Sequence, residues 1–132
     1  MQPLRVSSAR ILVGENAPWK ESVRLRVVGT VPGWRRPRVL EFRASSGCVE
    51  VHADDPRVGG FVRVTHEDFT KIIESAKVES DPSDPVAPEV LESLAGWARS
   101  EMIREFTRFP AFHGVNHHTF PVSMGGVSHV LP

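Results

Sequence analysis

The stretch Cys48-Val-Glu-Val-His-Ala-Asp54 sets a thiol, two carboxylates and an imidazole at every second position. In an extended strand that spacing puts Cys48, Glu50, His52 and Asp54 on one face. Such a row can ligate a divalent metal or run acid–base chemistry. A second concentration of imidazole lies in FPAFHGVNHHTFPVSMGGVSHVLP (109–132), which holds four of the six histidines. His113 and His117 share a face in either a strand or a helix, but Pro110, Gly114 and Pro121 oppose a helix. In a strand His118 points away from His117, which leaves two histidines in need of a carboxylate from elsewhere. Zinc sites take three or four protein ligands in recognised spacings, and His-x-x-x-His-His is not a strong one. The residues a metal would use are therefore His52, Asp54, His113, His117 and His118. A solvent-facing polar strand face, without metal or other cofactor, is the preferred reading. Cys48 paired with a histidine, or Ser123, has no nucleophile motif around it, so no catalytic residue is assigned.

Two family resemblances can be set against these residues. His52-x-Asp54 resembles the opening of the facial His/Asp…His set of non-haem iron oxygenases, which His113, His117 or His118 would complete. About five strands fall short of that family's eight-stranded jelly roll, and no Lys or Arg follows Arg108 to hold a 2-oxoacid. Arg35-Arg-Pro-Arg38 followed by Arg43-Ala-Ser-Ser-Gly-Cys48 is similar to the cyclic-dinucleotide-binding PilZ family. Its gap is too short, however, and Arg43 or Ala44 stands where Asp or Asn is wanted, so the chain is not assigned to either family.

A different chemistry belongs to Trp34-Arg35-Arg36-Pro37-Arg38. Guanidinium groups pair with carboxylates and phosphates and stack on flat rings, as does an indole. Trp and Arg are also the residues enriched at protein–protein hot spots. Arg24, Arg26 and Arg43 are expected to extend this patch along the outer face of a hairpin. The chain carries 16 Lys/Arg and 16 Asp/Glu, and nucleic-acid-binding domains are usually clearly basic. An ordinary solvated loop is the leading reading of this tip, and as a partner an acidic protein surface is favoured over nucleic acid. The uncharged segment after Arg108, with Phe112, His113, His117, His118 and Phe120, is too apolar for a solvated tail. It is expected to dock on the core or on a neighbour, with imidazoles that change charge near pH 6.5.

The elements that position these residues follow from periodicity. Val23, Leu25 and Val27 alternate with polar neighbours, as do Leu40 and Phe42, the period of half-buried strands. Val31-Pro32-Gly33-Trp34 reads as a type II turn joining them. With Cys48–Ala53, a Gly-interrupted strand over 58–65 and an opening run over 4–13, this makes about five strands. The pattern predicts a small antiparallel barrel or sandwich. The period then changes. Thr65 stands three residues before Asp68 as a helix cap, and Phe69, Ile72, Ile73 and Ala76 recur at helical spacing. A proline-rich connector over 79–88 follows. Pro88 opens a longer helix with the apolar stripe Leu91, Leu94, Ala95, Ala98, Met102, Phe106 and Phe109. Gly125-Gly126 marks a closing hairpin. The class is α+β.

With 132 residues, 40% hydrophobic and 24% charged, the chain is expected to form one soluble globular domain. Residues 1–66 hold eleven Lys/Arg against six Asp/Glu, and residues 67–132 hold five against ten. A basic β-rich half (1–66), an acidic helical half (67–109) and an uncharged closing segment (110–132) result. No run is long and apolar enough for a membrane helix, and the opening lacks a secretory apolar core. A single cysteine fits a reducing, cytoplasmic setting. The expected function is a non-enzymatic protein-interaction module, a structural subunit or adaptor that binds another protein or itself. A metal-dependent enzyme and a nucleic-acid binder are the alternatives.

Overall fold

The computed structural model describes residues 2–15, 23–45, 48–55, 58, 60–108 and 112–116. Its elements are β1 (Gln2–Pro3), β2 (Arg5–Val13), β3 (Val23–Thr30), β4 (Arg38–Ser45), β5 (Cys48–Ala53) and β6 (Phe61–Arg63). There follow α1 (His66–Ser75), β7 (Lys77–Ser80), α2 (Pro88–Phe106) and β8 (Phe112–Asn116). The strand order is β1-β6-β8-β5-β4-β3-β2-β7, and the class is α+β.

The antiparallel run β2-β3-β4-β5 is the part local chemistry dictates. The Trp34 N–H donates to the Val31 carbonyl at 3.1 Å, and Gly33 sits at φ 103°, the left-handed position a type II turn requires. Alternation then sends Val23, Leu25, Val27, Leu40, Phe42, Val49, Val51 and Ala53 into the core.

The sheet as a whole is mixed, which corrects the purely antiparallel expectation. β7 pairs with β2, β8 with β5 and β1 with β6, all in parallel. Parallel neighbours need a crossover rather than a tight turn. Here β7 and β8 join the sheet only after the chain has passed through a helix. β7 also takes Glu79 and Ser80 out of the expected connector. Its four residues are too few to display an alternation. The strand expected over 58–65 is three residues long, and the hairpin around Gly125-Gly126 lies outside the described residues.

Both helices begin where their caps place them. The Thr65 hydroxyl accepts from the Asp68 N–H at 3.0 Å, a cap worth about 1 kcal/mol. Pro88 starts α2, where its missing N–H costs nothing. Phe69 and Ile73 of α1, with Ala98, Met102 and Phe106 of α2, are buried in one cluster with the sheet's apolar face. Phe69 meets Phe42 and Phe106 edge-on, each at a ring separation of 5.3 Å. Among the described residues no helix is long and apolar enough to cross a membrane.

Candidate functional site

The face of the sheet opposite the apolar residues carries the polar ones. Register sets them in rows: Arg24 beside Arg43 beside Glu50, then Arg26 beside Glu41 beside His52. This face is not a solvated surface. Glu41 is 0% exposed, Arg26 5% and His52 8%.

Three guanidinium groups converge on Glu41. Arg26 donates from Nη2 to Oε1 at 2.7 Å, Arg43 donates from Nε to Oε2 at 2.6 Å, and Arg24 Nη1 stands 3.5 Å from Oε1. Arg24 also pairs with Asp81, at the turn between β7 and α2. Burial alone would raise the Glu41 carboxyl, but Arg24, Arg43 and Arg26 together hold it below its ordinary value of 4.5. Arg24, Arg26 and Arg43 therefore do not extend the basic tip; they neutralise internal carboxylates. The positions that cancel them, Glu41 and Asp81, carried no signal of this in the sequence.

His52 lies on the same face with Nε2 3.6 Å from Glu50 Oε1. Burial first, and then Arg43, lower its proton affinity below the ordinary 6.5, against Glu50 and Glu41. Asp54 is raised above 3.8, chiefly by burial. Register sets Asn116 level with His52, while His113 pairs with Val62 and Phe112 with Arg63. His117, His118 and Phe120 lie outside the described residues. Among the described residues no three His, Cys, Asp or Glu side chains form a group able to hold a metal ion. Cys48 is exposed at the start of the row, on a different level from His52.

These shifts set an acid response. Lowered proton affinity in the fold makes the unfolded chain take up protons first as pH falls. Stability from His52 is thus lost as pH drops below about 6.5, and that from Glu41 below about 4.5. Asp54 acts the opposite way, because its raised value favours the fold as pH falls through it. Melting temperature measured from pH 7 to 4 is expected to fall in two stages, and His52→Gln to remove the upper one. A flat profile above pH 5 in the parent protein contradicts this assignment.

The basic tip keeps part of its expected character. Arg35 and Arg36 are exposed, but Trp34 is half-buried against the core and Arg38 pairs with Asp55 at 3.6 Å. Topology adds two residues that sequence reading missed. Arg5 pairs with Thr30, just before the turn, and the Leu4 N–H donates to the Arg63 carbonyl at 3.1 Å. Arg5 and Arg63 are exposed, so one end of the sheet gathers Arg5, Arg35, Arg36 and Arg63. None of the four makes an ion pair among the described residues. The signal available in the sequence was their number, not their meeting.

The chain matches no protein-family model, no curated protein and no solved structure.

Proposed function

We propose that the protein is a non-enzymatic interaction module, a subunit or adaptor that receives an acidic surface of another protein on its arginine-bearing end. The observation that carries this reading is the grouping of exposed Arg5, Arg35, Arg36 and Arg63 at one end of the sheet. Arg24, Arg26 and Arg43, by contrast, are matched by carboxylates of the same chain. Arginines present planar forked donors that lose less rotamer freedom per hydrogen bond formed than a lysine ammonium does. Trp34, half-buried against the core, offers bases a poorer stacking platform than an exposed indole, which favours a protein partner over nucleic acid.

We also read the sheet as curling toward a small barrel. β1 and β2, separated only by Leu4, pair with β6 and β3, the two ends of the run β6-β8-β5-β4-β3.

The test compares a polyglutamate peptide with a single-stranded oligonucleotide of equal charge, at low salt. The peptide is expected to bind, and Arg35→Glu with Arg36→Glu to weaken it roughly tenfold or more. Tighter binding of the oligonucleotide, or binding of neither, rejects the reading.

A further inference from the structure

β2 runs from one sign of charge to the other. Exposed Arg5 opens it, and exposed Glu15 stands two residues past its last, Val13. At roughly 3.3 Å per residue, the strand carries the chain about 26 Å. Each end gathers more of its own sign. At the first, register sets Arg5 beside Thr30, ahead of exposed Arg35 and Arg36, and the Leu4 N–H meets the carbonyl of exposed Arg63. At the second, the connector from β7 to α2 is tied down twice. The Asp81 N–H donates to the Val13 carbonyl at 2.8 Å, and the Glu15 N–H to the Asp84 carbonyl at 3.3 Å. α2 opens just beyond, at Pro88, with Glu89, Val90 and Glu92 exposed on its first turns.

The other exposed charges do not blur this division. Lys71, Arg104 and Arg108 pair with Glu67, Glu101 and Glu105, each three or four residues away. Glu74 and Lys77 offset one another between the two ends, where α1 passes into β7 and Lys77 lies level with Arg10. Asp68, the other exposed carboxylate that follows Arg63, sits in the first turn of α1, where the helix N-terminus favours it. Neither the four arginines nor Glu15, Glu89 and Glu92 make an ion pair among the described residues.

We infer, on the basis of the function proposed above, that the acidic surface received by the arginine end is the opposite end of a second copy of this chain. With 16 Lys/Arg against 16 Asp/Glu, two copies meet without net repulsion, so attraction between unlike ends governs their approach. Val90, 39% exposed, stands between the two glutamates of α2 and gives the contact an apolar centre against exposed Pro32 and Pro37 of the turn. Exposed ion pairs are individually weak, so association is weak and sensitive to salt. The two surfaces differ, which makes the contact heterologous: every bound copy keeps an open end, and chains of copies grow.

The test is sedimentation of the full chain under reductant, because Cys48 is exposed. At ~20 mM salt the average mass is expected to rise with concentration past that of a dimer, and at ~0.5 M to return to monomer. Arg35→Glu with Arg36→Glu, and separately Glu89→Gln with Glu92→Gln, each weaken association roughly tenfold or more. Mixed in equal amounts, the two variants form a 1:1 complex and nothing larger, because one native arginine end then meets one native acidic end. That recovery also shows that both variants fold. A monomer at every concentration, association untouched by either variant, or no complex in the mixture overturns the proposal. If polyglutamate still binds in that case, the arginine end serves a different protein; if it does not, the function proposed above falls as well.

Discussion

Glu41→Ala is expected to lower the unfolding free energy by about 3–5 kcal/mol, read as a fall in the urea midpoint. The carboxylate is fully buried and accepts from Arg26 and Arg43, with Arg24 close by. Removing it does not strand all three cations equally. Arg24 keeps Asp81, and the Arg43 side chain is 34% exposed and can turn to water. Arg26, with a side chain 6% exposed, is the least able of the three to turn to water. Most of the loss therefore comes from one buried guanidinium left without its carboxylate, not from the value of the pair itself. Buried ion pairs are often replaceable by apolar residues of similar size at little cost. Glu41→Leu with Arg26→Met is accordingly expected to regain most of the stability. A Glu41→Ala loss under about 1 kcal/mol would mean that Arg26 is satisfied without Glu41, contrary to this account.

Phe69→Ala is expected to cost about 3–5 kcal/mol, the lost burial of the ring together with the cavity it leaves. Phe69 is fully buried and joins three layers: Phe42 from the sheet, its own helix α1, and Phe106 from α2. Both ring contacts are edge-on, at interplanar angles of 86° and 78°, the geometry that aligns a positive ring edge with a negative face. Each such contact contributes about 0.5–1.5 kcal/mol beyond area burial, so Phe69→Leu is expected to lose about 1–3 kcal/mol while filling most of the space. Equal losses for the alanine and leucine variants in denaturant titration would remove the special role given to the rings.

The two experiments probe opposite faces of one sheet, and the sequence was unequally informative about them. The apolar face was readable because alternation and helical periodicity are local. Val23, Leu25 and Val27 had to share a side, and so did Ala98, Met102 and Phe106. The cap at Thr65, the start at Pro88 and the turn at Gly33 were readable for the same reason, each resting on contacts within a few residues. Short strands were not. β7 is four residues long and stands beside a proline-rich stretch, so neither its period nor its parallel pairing with β2 left a local trace.

Charge was the hardest feature to interpret from the sequence, and here tertiary structure overturned the reading. All seven arginines from Arg5 to Arg43 other than Arg10 were visible as cations, but not which of them remained available to a partner. Arg26 meets its carboxylate 15 residues away, and Arg24 meets Asp81 57 residues away. Arg5 joins the tip only through its register with Thr30. The sequence by itself determined what depends on near neighbours: the helices, the hairpin at Pro32-Gly33, and which side chains each strand sends to the core. Only the tertiary structure decided which charges cancel and which face outward. Electrostatic pairing acts through space at a few ångströms, and the chain separations that bring those partners together are set by strand register.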